Sequence, residues 1–140
     1  MKIIVTGHGN FATGIQSTVK LLAGELQNVE FIDFTGDMND VSLNGKLTTA
    51  LADTDKAVFF CDLLGGTPFK EAVKISTTAD QDIAVITGCN VGSLLEVGFQ
   101  LADYAGTATE LATTLVTTSK AQTKVFEHHA VIQDADEDGI

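Results

Sequence analysis

The chain has 140 residues, 44% of them hydrophobic, with no tryptophan and one proline. That size and composition suit one compact domain that needs no disulfide or structural metal, and exclude a disordered chain. A formal net charge of −11 repels phosphate backbones, which argues against nucleic acid as a ligand and favours partners with basic faces.

Lys2–Thr6 is a short β-branched run closed by Gly7-His8-Gly9, and reads as a first strand. No charged segment followed by an apolar one opens the sequence, and runs such as Lys56–Cys61 are too short to cross a bilayer, so a cytoplasmic protein is expected. From Phe11 the apolar residues Phe11, Ile15, Val19, Leu22 and Leu26 fall close to helical spacing. Asn28–Phe34 reads as a second strand carrying Val29, Phe31, Ile32 and Phe34, and Gly36 with Asp37 breaks it. Asp40–Asp53 supplies a weaker helix with Val41, Leu43, Leu47 and Leu51 near one face, despite Gly45.

Lys56–Asp62 is apolar at consecutive positions, the mark of a strand buried on both faces. After Leu63-Leu64-Gly65-Gly66, the pair Thr67-Pro68 predicts a helix with Thr67 as its N-cap and Pro68 first inside, running to Ser76 or Thr77. Asp82–Thr87 is a fourth strand ended by Gly88-Cys89-Asn90, and helices are expected at about Val91–Asp103 and Thr107–Thr123. Lys124–Ile132 reads as a last strand, and the acidic segment beyond it as a solvated tail. The domain therefore spans 1–132 and the tail 133–140. Four alternations of strand and helix predict an α/β fold, doubly wound and mostly parallel, with helices on both faces.

In such sheets reactive groups collect beyond the carboxyl ends of strands, where the strand order reverses. In the flavodoxin-like order 2-1-3-4, strands one and three are neighbours there, so His8 and Asp62 should face each other. A carboxylate beside an imidazole takes the proton of one ring nitrogen and leaves the other nitrogen free as a nucleophile. Gly65 and Gly66 let backbone N–H groups approach a phosphate, Thr67 adds a hydroxyl, and the helix start adds partial positive charge. Taken singly, His8 is an ordinary solvated histidine, Asp62 a turn cap and Thr67 a helix cap. Their convergence points to a phosphate-handling site.

Cys61 and Cys89 form no Cys-x-x-Cys pair and read as small apolar residues of a reducing compartment. A phosphatase loop built on Cys61 would need an arginine about six positions on, where Thr67 stands. A receiver-type domain phosphorylated on Asp62 would need acidic metal ligands after strand one, where Gly7-His8-Gly9 stands. For a flavin or nucleotide binder at the same crevice, the absence of tryptophan, with the only tyrosine at Tyr104, offers little to sandwich a flavin ring. Glu127-His128-His129 makes a poor metal set, because adjacent residues of a strand point to opposite faces.

The stretches from Gly7 to Gly14, from Asp62 to Phe69 and from Val85 to Asn90, with Leu94-Leu95-Glu96 after them, resemble the enzyme IIA domains of the mannose family of the sugar phosphotransferase system. The resemblance spans nearly the whole chain. It implies that His8 is phosphorylated by phospho-HPr and hands the group to a IIB component, which serves a IIC/IID membrane permease. It implies that Asp62 bonds the opposite ring nitrogen, and that Thr67, with the backbone near Gly65 and Gly66, binds the phosphoryl oxygens. It also implies a homodimer in which Lys124–Ile132 is swapped as an antiparallel edge strand onto the partner's sheet. No metal or other cofactor is expected. A related subunit serving dihydroxyacetone kinase shares the histidine and stands as the alternative.

Overall fold

The computed structural model describes residues 1–128. In chain order these form β1 (Lys2–His8), α1 (Phe11–Ala23), β2 (Val29–Phe34), α2 (Asp40–Ala50), β3 (Lys56–Cys61), α3 (Thr67–Thr78), β4 (Asp82–Thr87), α4 (Val91–Val97), a 3-10 turn (Leu101–Asp103) and α5 (Ala108–Gln122). The four strands make one parallel sheet in the order β2-β1-β3-β4, as expected. β1 and β3 are neighbours at the point where the order reverses, with Thr6 opposite Cys61. β4 is hydrogen-bonded to β3 on one side only among the described residues.

Alternation along the strands builds two apolar layers. Ile3, Val5, Val58, Phe60 and Ile86 pack against α1, α4 and α5 through Ala12, Val19, Leu94, Leu111 and Leu115. Ile4, Ala57, Phe59 and Cys61 pack against α2 and α3 through Leu43, Leu47, Ala72 and Ile75. Phe59 and Phe60 are adjacent, fully buried and on opposite faces, which explains the unbroken apolar run of β3. Truncating either ring to alanine costs about 3–5 kcal/mol, a large share of a net stability of about 5–15 kcal/mol.

Several boundaries differ from expectation for local reasons. β1 continues to His8, because His8 stays in register with Phe34 and Gly9 N–H donates to Phe34 O at 2.8 Å. α1 ends at Ala23, and Leu26 lies beyond it, against the Cα side of Gly98. α2 starts at an Asn39–Ser42 capping box and stops at Ala50, short of Asp53. The chain there tightens into Leu51→Thr48 and Ala52→Thr49 bonds, which frees the Asp53 carboxylate to meet Lys2 Nζ at 2.6 Å. The single helix expected over Val91–Asp103 is α4 followed by the separate 3-10 turn, and it breaks at Gly98.

The amino ends of the strands are closed by Lys2. Its buried ammonium donates to Glu30, Asp53 and the Ala50 carbonyl at 2.7, 2.6 and 2.8 Å. The described part of the expected last strand, residues 124–128, carries no strand, and the remainder with the tail 133–140 lies outside the described residues. No helix among the described residues is long and apolar enough to cross a membrane.

Candidate functional site

His8 is the last residue of β1, and Asp62 is the first residue after β3. The switch point brings them together as expected. Asp62 Oδ2 lies 2.7 Å from His8 Nδ1 and accepts the His8 backbone N–H at 2.9 Å, while Oδ1 accepts the Leu63 N–H at 2.9 Å. A carboxylate only accepts, so the proton facing it sits on Nδ1 and the lone pair of the neutral ring on Nε2. The His8 side chain keeps 45% of its surface exposed, whereas Asp62 keeps 10%. Burial pushes the Asp62 carboxyl up, but the His8 backbone, the His8 ring and the Leu63 N–H together hold it below its ordinary value. Asp62 thus caps its own turn and orients His8 at once.

Phe34, at the end of β2, meets the His8 ring edge-on with centroids 5.9 Å apart at 71°. This second restraint on the ring is not visible in a motif, because it depends on the parallel pairing of His8 with Phe34. Asp33 is also revealed by the fold. It accepts the Thr13 N–H at 3.0 Å and the Thr13 hydroxyl at 2.6 Å, placing a carboxylate at the start of α1.

α3 begins one residue earlier than expected. Gly66 is its N-cap, in extended conformation, and Thr67 and Pro68 are the first two helical residues. Thr67 is therefore not spent as a cap, and no side chain caps this helix. The other four α-helices start differently: α2, α4 and α5 carry capping side chains from Asn39, Asn90 and Thr107, and α1 carries Asp33. The uncapped start is the one beside the histidine. A Cβ on Gly66 would lie 2.5 Å from His8 Cε1 and 3.2 Å from Nε2, so the glycine permits a contact between helix and ring. Gly65 turns the chain with φ at +85° and touches nothing through a hypothetical Cβ. Of Gly65, Gly66 and Thr67, Gly66 is the one seen against the ring, on its Cε1–Nε2 side.

Cys61 is buried against Asp62, and burial followed by the carboxylate's charge pushes its thiol up to about 12. It is an inert core residue. Cys89 packs into the opposite apolar layer, so the two thiols are separated by the sheet. Of the group Glu127-His128-His129, the last residue lies outside the described residues.

An imidazole held at Nδ1 by a largely buried carboxylate, with an uncapped helix start beside its other nitrogen, can accept and hold an anionic electrophile. The chain is 37% identical over 97 residues to the mannose-specific EIIAB component of Escherichia coli K12, covering 67% of this chain and 30% of that protein. The match thus spans under a third of that relative. It is 30% identical over 99 residues to the sorbose-specific EIIA component of Lacticaseibacillus casei, covering 69% of this chain and 71% of that one. Its fold superposes with a TM-score of 0.82 on the phosphotransferase system component EIIA of Streptococcus agalactiae, at 30% identity, covering 89% and 95% of the two chains. The family model described as the phosphotransferase system fructose IIA component, EIIA-man, matches residues 2–116, and the chain belongs to that family.

Proposed function

We propose that this chain is a phosphohistidine carrier of the sugar phosphotransferase system, accepting a phosphoryl group on His8 Nε2 and passing it on. The observation that carries the reading is the His8–Asp62 pair set against the uncapped start of α3. The donor is phospho-HPr, the acceptor is a histidine of a IIB component, and the IIC/IID permease is reached only through IIB. The protein works in the cytoplasm.

The Nε2 lone pair forms the new P–N bond as the donor's P–N bond breaks, and the electron pair of that bond returns to the donor's imidazole. Phosphoryl transfer through a loose transition state asks mainly for positioning and for stabilisation of charge. Positive charge appearing on the ring is met at Nδ1 by Asp62. Negative charge on the equatorial oxygens is met by the first-turn amides of α3, the backbone near Gly65 and Gly66, and the Thr67 hydroxyl. All 8 basic residues are lysines, and a cradle without an arginine fork holds the group loosely enough to release it. His8 is half-exposed, which lets a second protein's histidine approach along the line of attack.

The protein acts as a homodimer in which residues 124–132 of one subunit pair antiparallel with β4 of the other. The support is the side of β4 that is unpaired among the described residues, together with the apolar residues Val125 and Phe126, which are 87% and 78% exposed.

The test is intact-mass analysis after incubation with phosphoenolpyruvate, enzyme I and HPr. Wild type should gain one acid-labile phosphoryl group and His8→Ala none. A wild-type chain that gains nothing beside an active HPr control overturns the reading.

A further inference from the structure

We propose that Gly7 is a positioning residue for the phosphoryl transfer: its bare Cα is the seat on which the Asp62 carboxylate rests against β1. The inference rests on the phosphocarrier reading and extends it to a residue that touches no reacting atom. Gly7 is buried within β1, and its φ lies outside the left-handed region, so its backbone is one that any residue can adopt. Glycine is required there for space. A Cβ at Gly7 would lie 2.8 Å from both Asp62 Cβ and Asp62 Cγ, and 2.6 Å from Phe11 Cδ2. Non-bonded carbons rest at about 3.5–4.0 Å. Gly9, two residues on, is the opposite case: its φ is +59° and a Cβ there would meet nothing.

Three successive residues of β1 therefore grip Asp62. The Thr6 carbonyl accepts the Asp62 N–H at 3.1 Å, Gly7 lets the side chain lie flat across the strand, and the His8 N–H donates to Oδ2 at 2.9 Å. The strand that carries the nucleophile also seats the group that orients it. A side chain at position 7 lifts Cβ and Cγ of Asp62 off the strand. A displacement of about 1 Å takes Oδ2 beyond hydrogen-bond reach of both His8 nitrogens. The ring then loses its reason to keep the proton on Nδ1, and the phosphorylatable nitrogen is no longer fixed as Nε2.

The experiment reads the His8 tautomer by imidazole 15N shifts in the unphosphorylated protein, and in parallel the rate of transfer from phospho-HPr. Because the first measurement needs no donor, failure of the carrier reading and failure of this inference are distinguishable. Gly7→Ala should raise the Nε2–H tautomer of His8 and slow transfer roughly tenfold or more. Gly7→Ala made with Phe11→Leu separates the two contacts. If the tautomer and the rate return to those of Phe11→Leu alone, Gly7 serves only to house Phe11 and the proposal is overturned. If Gly7→Ala does not fold, Asp62→Gly, which removes both carboxylate-side atoms the new Cβ would meet, should restore folding. A double variant that stays unfolded overturns the proposal as well.

Discussion

One oxygen of Asp62 receives two donors from one residue, the backbone N–H of His8 at 2.9 Å and ring Nδ1 at 2.7 Å. The backbone bond does not depend on the state of the imidazole. The carboxylate is therefore held in place independently of how the ring is turned. Asp62→Asn keeps the acceptor for the backbone N–H but removes the charge that answers a ring cation. We expect a folded protein whose transfer rate falls roughly 10²-fold, measured by single-turnover phosphorylation.

The same bonds make stability depend on pH. Hydrogen bonds outweigh burial and hold the folded Asp62 carboxyl below its ordinary value. Its contribution is then complete above the unfolded value of about 4, and is lost as pH falls through the lower folded value. Urea unfolding from neutral to strongly acidic pH should show stability falling on the acid side. In Asp62→Asn that fall should be shallower.

Neighbouring glycines should fail in different ways. Gly66→Ala has a permissive backbone but drives a methyl into His8, at 2.5 Å from Cε1. It should leave thermal stability nearly unchanged and cut transfer roughly 10²-fold. Gly65→Ala meets no atom but must hold φ at +85°. It should lose about 1–2 kcal/mol of stability and retain most of its transfer rate, read by denaturation alongside the phosphorylation assay.

Thr67 makes no cap bond, so its hydroxyl contributes little to folding. Thr67→Ala should keep the melting temperature within a few degrees and slow transfer roughly tenfold. Thr67→Ser should recover most of the rate.

At the far pole, Lys2 is the buried partner of two exposed carboxylates and one carbonyl. Burial pushes its ammonium down, but Asp53 and Glu30 outweigh this and raise it above its ordinary value. Its stabilisation is therefore present at neutral pH and lost only on strong alkalinisation. Lys2→Met should cost about 1–3 kcal/mol, chiefly from the unpaired Ala50 carbonyl, with phosphorylation of His8 unchanged.

The strand order and the meeting of His8 with Asp62 were legible because both follow from a rule of topology applied to an alternating pattern. The apolar run of β3 announced a strand covered on both faces, and Phe59 with Phe60 shows why. Contacts between elements distant in sequence were not legible. The Phe34 edge on His8 comes from parallel register, Asp33 at the start of α1 comes from strand adjacency, and the demand for bare space at Gly7 comes from Asp62 crossing it. Thr67-Pro68 marked the helix correctly but misplaced its first residue by one, since Gly66 in extended conformation competes as N-cap. The break at Gly98 was hidden for a similar reason: the helical pattern continues through it, while Leu26 packs where a side chain would have been.

The outer strand β4 reads Asp-Ile-Ala-Val-Ile-Thr, with no lysine or proline of its own to guard its outer side, unpaired among the described residues, once the proposed dimer comes apart. Bare amides on an apolar ribbon are a template for fibre growth. At neutral pH the charge of −11 keeps molecules apart and masks this hazard colloidally. That protection vanishes near the sequence isoelectric point of about 4.3, before the pH has fallen far enough to cost the fold its Asp62 contribution. Mild acid should therefore turn solutions of this protein turbid by edge-to-edge stacking before most of the chains have unfolded.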